Sequence, residues 1–167
     1  MLLLDGSTGH ELKERLGVLR TAEDSFATAM WANVKQPELV TAVHSDYVAA
    51  GCDVLTTNSF TLTPAALAGA GEAEGGLATL LHAACRCASA AAATADGGRH
   101  VLVAGCLPPL RHCYLPELVP PADELADSYR QIVAELAPRV DLFLAEVHYI
   151  EQRRVARKDH VPSKQLE

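Results

Sequence analysis

The chain has 167 residues, of which 49% are apolar, 21% charged and 5% aromatic, with a formal net charge of −7. That length suits one domain burying roughly two-thirds of its unfolded surface, and the balance of apolar to charged residues excludes wholesale disorder. Few aromatics and abundant alanine point to helices packed on aliphatic strands, not to an all-β protein.

The charge is uneven. Residues 148–167 carry five Lys/Arg against three Asp/Glu, which leaves −9 on residues 1–147. An acidic body argues against nucleic acid as a partner. The basic tail lacks an amphipathic period and apolar anchors, so it reads as a solvated, poorly ordered end in preference to a nucleic-acid or membrane-surface patch. Met1–Leu4 runs straight into Asp5 and Gly6 without a basic leader or a long apolar stretch, which makes it a strand start and not a signal peptide. No segment reaches the ~18 uninterrupted apolar residues of a membrane span. Five cysteines, an odd number without small-scaffold spacing, imply reduced thiols and a cytoplasmic location. Cys85 and Cys87 sit two apart on a helix and point in different directions. A metal site from Cys106, His112 and Cys113 on a Pro-rich loop is the weaker reading, since tetrahedral zinc takes three or four protein ligands.

In chain order, Leu2–Leu4 is a short apolar strand stopped by Asp5-Gly6-Ser7-Thr8-Gly9. Glu11–Leu16 is a short helix closed by Gly17, and Val18 to Val34 is irregular. Pro37 suits the first turn of a helix; Leu39, Val40, Val43, Tyr47 and Val48 recur at helical spacing, and Gly51 ends it. Asp53–Thr57 is a β-branched strand leading to Asn58. A long helical region follows, broken near Gly75-Gly76, with Leu77, Leu80, Leu81 and Ala84 on one face. After the Asp96-Gly97-Gly98 turn comes a third strand, Val101–Ala104, ending at Gly105. Five prolines between Pro108 and Pro121 mark a long connection, uncommon unless functional. Asp123–Leu136 is another helix, and Leu142–Ala145 a fourth strand ending at Glu146.

Four apolar strands separated by helices imply an α/β fold with a parallel sheet covered by helices. No G-x-G-x-x-G or Walker-type sequence follows a strand, which lowers a nucleotide-binding reading. The strands stop at Asp5, at Asn58, at Gly105-Cys106 and at Glu146. In a barrel, catalytic groups gather at such carboxyl ends. Two carboxylates and an amide at one mouth suit a small zwitterion with an ammonium group, whose carboxylate the adjacent glycine amides can approach. Taken singly, each of these residues is better read as a turn former or helix cap. Glu146 resists that reading, because a carboxylate behind four apolar residues is costly without a partner.

The opening Leu3-Leu4-Asp5-Gly6-Ser7-Thr8-Gly9-His10-Glu11-Leu12 resembles the first strand and turn of the homocysteine S-methyltransferase family. Further on, Trp31 precedes Pro37-Glu38-Leu39-Val40, and then comes His44-Ser45-Asp46-Tyr47-Val48-Ala49-Ala50-Gly51-Cys52-Asp53-Val54-Leu55-Thr56-Thr57-Asn58-Ser59-Phe60. Val103-Ala104-Gly105-Cys106-Leu107-Pro108-Pro109 and Asp141-Leu142-Phe143-Leu144-Ala145-Glu146 keep the family's order. The likeness covers about residues 2–146.

The resemblance implies a TIM-type (β/α)8 barrel that moves a methyl group to homocysteine, giving methionine, from a sulfonium donor such as S-methylmethionine or S-adenosylmethionine. Some relatives use betaine or a folate. It implies zinc in the full-length family, where the metal lowers the thiol pKa. By position, Asp5 and Glu146 would hold the amino acid's ammonium, the Gly6-Ser7 backbone would face its carboxylate, Asn58 would line the reacting region, and Trp31 would serve the donor side.

Departures are also visible. Ser7 stands where glycine or alanine is usual, and His10 where threonine is common. After Glu146 the text Val147-His148-Tyr149-Ile150-Glu151-Gln152-Arg153-Arg154 leaves the family pattern. The family's zinc cysteines, one in Asn-Cys and two in Cys-Cys, have no counterparts here, so none of Cys52, Cys85, Cys87, Cys106 and Cys113 is assigned to metal.

The expected organisation is therefore a partial homocysteine-binding domain over 1–147, about four βα units forming half a barrel, followed by an out-of-family tail over 148–167. Half a barrel leaves two open edges that invite self-association and puts the catalytic competence of this chain alone in question. A non-catalytic binding or regulatory half-barrel, or the remnant of a truncated gene, is the alternative.

Overall fold

The computed structural model describes residues 1–17, 22–69, 76–111 and 115–147. The expected tail over 148–167, together with His112 and Cys113, lies outside the described residues.

Helix α1 (Thr8–Leu16) starts at Ser7, whose side chain accepts from the His10 amide, and stops at Gly17, which takes the left-handed conformation at φ 63°. It is one turn longer than the sequence suggests, because the Ser7 cap admits Thr8, Gly9 and His10. Helix α2 (Ala22–Lys35) occupies most of a stretch expected to be irregular. Its buried positions Ala29, Met30, Ala32 and Asn33 are small or polar, so no aliphatic stripe announces it. Packing against α1, α3 and α5 supplies what propensity does not.

Helix α3 (Pro37–Ala49) begins with Pro37 in its first turn and buries Val40, Val43, His44 and Val48. Strand β1 (Val54–Thr56) is buried along its length. Helices α4 (Pro64–Gly69) and α5 (Gly76–Ala92) follow. On α5, Cys85 and Cys87 pack into different core clusters, in agreement with their spacing. Strand β2 (Leu102–Leu107) runs three residues past the expected end at Ala104, since Gly105 to Leu107 find partners on the next strand. Cys106 is thus a strand residue and not part of a loop. A short 3₁₀ turn (Pro116–Leu118) interrupts the long connection, then come α6 (Ala122–Leu136) and β3 (Leu142–Ala145).

The sheet is parallel, in the order β1-β2-β3. The expected first strand is reduced to a single parallel bridge, Leu4 to Val54. Around it the Asp5 amide donates to Val54 O at 3.0 Å, and the Asp53 amide to Leu3 O at 2.7 Å. The turn at Gly6-Ser7 ends the pairing at once, and Leu2, Leu3 and Leu4 stand 64%, 53% and 48% exposed. Asp53 and Asp141 staple neighbouring strands: their carboxylates accept from the Leu3 and Val103 amides, each at 2.8 Å.

The main core lies between helices and sheet, where Leu62, Leu80, Leu81, Ile132 and Leu136 are fully buried. A second cluster forms where α1, α2 and α3 meet. Among the described residues no helix is long and apolar enough to cross a membrane.

Candidate functional site

A cavity of about 570 Å³ opens at the carboxyl ends of the strands, and Asp5, Gly6, Ser7, Asn58 and Glu146 all line it. The two carboxylates, 141 positions apart in the chain, therefore face one space. Parallel pairing places every strand's carboxyl end on the same rim.

Each acid is held by the strand beside it. Asp5 accepts twice from Thr56 on β1, from the amide at 2.8 Å and from Oγ1 at 2.9 Å. Glu146 Oε2 accepts from the Cys106 thiol of β2 at 2.9 Å. Burial pushes the Asp5 carboxyl up to about 6, the Thr56 hydrogen bonds pull it down, and the nearby Glu146 charge adds to the rise. Two acids so arranged gain when a cationic nitrogen enters, because it relieves both desolvation and mutual repulsion.

At Gly6 a β-carbon would sit 2.9 Å from both Cε1 and the hydroxyl of Tyr47, so any other residue here would require the Tyr47 ring to shift. Ser7 caps α1, and the first amides of that helix border the cavity, a setting suited to an anion. His10 and Lys13, successive positions on one face of α1, also line the wall.

Asn58 is fixed by α2. Its amide donates to Ala29 O at 2.9 Å and to Asn33 Oδ1 at 3.0 Å, while Asn33 donates back to Asn58 O at 2.8 Å. With both amide hydrogens used, Oδ1 is the group Asn58 offers a ligand. Trp31 stands elsewhere: it packs on the main core, with Lys35 Nζ 5.4 Å from its ring centre, and does not belong to the cavity wall.

Thr56, Thr57 and Asn33 also belong to the framework of the cavity, and Cys106 lies on β2 instead of the expected loop. Thr56 and Thr57 looked like ordinary strand formers; only the neighbouring Asp5 gives Thr56 its role. For Cys106 the signal was its place one residue after Gly105 at a strand end.

Among the described residues no group of three or more His, Cys, Asp or Glu side chains could hold a metal. Cys52, Cys85, Cys87 and Cys106 are buried free thiols. These buried thiols do not fit a zinc site, and the cavity wall offers a ligand the carboxylates of Asp5 and Glu146, the Asn58 amide, hydroxyls, His10 and Lys13.

A family model described as homocysteine S-methyltransferase matches residues 2–157, continuing past Glu146. The metallated form of the homocysteine methyltransferase MmuM from Escherichia coli superposes with a TM-score of 0.75 at 28% identity, over 89% of this chain and 54% of that one. Its oxidized form gives 0.76 at 27% identity, over 89% and 53%. The chain thus spans about half the length of these structures. Comparison with curated proteins finds no match. On the family match, the shared order of strands and the structural similarity together, the chain belongs to the homocysteine S-methyltransferase family.

Proposed function

We propose that this chain forms the amino-acid-binding part of a homocysteine S-methyltransferase. Asp5 and Glu146 take the ammonium of homocysteine, the Gly6-Ser7 amides face its carboxylate, and Asn58 Oδ1 borders the reacting sulfur. In the reaction the homocysteine sulfur, as thiolate, attacks the methyl carbon of a sulfonium donor. A new S–CH3 bond forms, the donor's C–S bond breaks, and its electron pair neutralises the sulfonium to a thioether. S-methylmethionine or S-adenosylmethionine is the donor in this reading, and Trp31 has no assigned contact with it.

The observation that carries the reading is the meeting of Asp5 and Glu146 on one cavity beside the start of α1. Calorimetric titration with L-homocysteine, with and without zinc, tests it alongside a methionine-formation assay. Saturable binding that Asp5→Asn weakens about 10–100-fold supports it; absence of binding in both conditions refutes it.

A half-barrel that associates with further strands is part of the same proposal. The exposed Leu2–Leu4 and Phe143, the latter 36% exposed on β3, support it, as does coverage of 54% of the matched structure. Those strands come either from continuing sequence or from a second chain. Light scattering behind a sizing column should show this 167-residue chain self-associating; a compact, cooperatively melting monomer would count against the idea. A domain limit near 147, ten residues short of the end of the family match, and a cytoplasmic location also belong to this proposal, the latter resting on the free thiols.

A further inference from the structure

Cys106 is fully buried, with 0% of its surface exposed. Its amide donates to Thr57 Oγ1 at 3.1 Å, and Thr57 Oγ1 is bonded to Ser59 Oγ at 2.8 Å. The thiol therefore has a fixed backbone on the end of β2, tied to the turn that carries Asn58. From there it donates to Glu146 Oε2. The bond engages Oε2, one of the two carboxylate oxygens, and Glu146 lines the cavity.

We propose that Cys106 is a positioning residue for ammonium recognition, its buried thiol fixing one oxygen of Glu146 so that the other is presented to the amino-acid ligand. The inference rests on the reading under Proposed function and adds to it a residue that touches no substrate. Burial, then the Glu146 charge and hydrogen bond, hold the thiol protonated far above its ordinary range. Cys106 is consequently a constant donor, neither a nucleophile nor a thiolate ligand. A hydroxyl of similar size could make the same bond, whereas a methyl group would leave the carboxylate oxygen without its partner.

The test compares the full chain with its Cys106→Ser and Cys106→Ala variants. Calorimetry with L-methionine and with its deaminated analogue 4-(methylthio)butanoate separates ammonium recognition from general damage. Cys106→Ala should weaken L-methionine binding about tenfold, as expected for a hydrogen bond to a charged group, and leave the deaminated analogue unchanged. Cys106→Ser should restore L-methionine binding. Equal losses for both ligands, or no loss in the alanine variant, overturn the proposal. A second arm needs no ligand: the infrared S–H stretch of Cys106, assigned by its disappearance in Cys106→Ala, should move to higher frequency in Glu146→Gln. A band that does not move also overturns it. If the unaltered chain binds neither compound, the functional reading is what fails, and the S–H band alone decides the role of Cys106.

Discussion

The inner strands β1 and β2 and the outer strands at either side of them are built differently. Val54 and Leu55 of β1 and Val103, Ala104 and Cys106 of β2 are buried, whereas Leu2–Leu4 are exposed and β3 is covered only at alternate positions. The carboxylates that define the cavity come from the poorly covered outer segments, Asp5 after Leu4 and Glu146 after β3. The groups that hold them, Thr56 and Cys106, come from the covered inner pair. An acid at the rim keeps access to ligand and solvent, and its holder sits where packing restricts movement. The division lets one sheet combine a rigid support with charged groups that would be costly to bury outright.

The largest expected effect tests that contrast directly. Leu55→Ala, at a position with no exposed surface, should cost about 2–5 kcal/mol in urea unfolding. Leu3→Ala, on the bare edge, should stay within about 0.5 kcal/mol at a dilution where light scattering shows a monomer, and cost more once the chain self-associates. An equally large cost in the monomer would mean that this chain itself covers the outer segment.

Acid should weaken the helix layer while relieving the rim. His44 on α3 is fully buried with neither ring nitrogen hydrogen-bonded, and desolvation lowers its pKa from 6.5 to about 4. The unfolded chain then binds more protons between those values, so stability present above pH 6.5 is lost as pH falls toward 4, by up to about 3 kcal/mol. Asp5 acts in the opposite sense. Its pKa is raised from 3.8 to about 6, so the folded chain binds the extra proton and stability from this group falls as pH rises through that interval. His44→Leu should flatten the acid loss measured by thermal melting between pH 7 and 4, and Asp5→Asn should steepen it. A variant that leaves the slope unchanged would remove its residue from this account.

For ligand affinity, Asp5→Asn keeps the shape and one acceptor for the Thr56 amide, leaves the Thr56 hydroxyl to accept from the new NH2, and removes the charge. Homocysteine should bind about 10–100-fold more weakly by calorimetry, the range of a charge-assisted hydrogen bond. Stability at pH 7 should rise in the same variant, because a half-buried carboxylate no longer needs desolvation. Loss of both affinity and stability would instead make Asp5 a structural residue.

The sequence disclosed the features that repeat along the chain and hid those that depend on pairs. Strand β3 and helix α3 were legible to within a residue or two from hydrophobic runs and from Pro37. Asp5, Asn58 and Glu146 could be found because they stand where apolar runs stop. Helix α2 escaped notice because Ala29, Ala32 and Asn33 face the core, and small or polar contacts leave no stripe. The holders escaped for a related reason: nothing local distinguishes Thr56 from any β-branched strand residue until Asp5 is set beside it, 51 positions away. Leu2–Leu4 looked like a complete strand, yet a run of three leucines does not specify how many of them pair.

The smallest effect concerns Ser7, which stands at the cavity edge and caps α1. Its Oγ accepts from the His10 amide at 3.2 Å, one of the donors a helix start leaves unsatisfied. Ser7→Ala should cost about 1 kcal/mol in thermal unfolding, and Ser7→Gly only a few tenths, because glycine is itself a tolerated cap. Binding separates the two possible duties of this residue. If the backbone amides alone face the ligand's carboxylate, both variants should bind homocysteine as the unaltered chain does, despite their different melting temperatures. Should affinity fall in both while stability falls only in the alanine variant, the hydroxyl itself reaches the ligand, and Ser7 then joins Asp5 and Glu146 among the proposed binding groups at the rim.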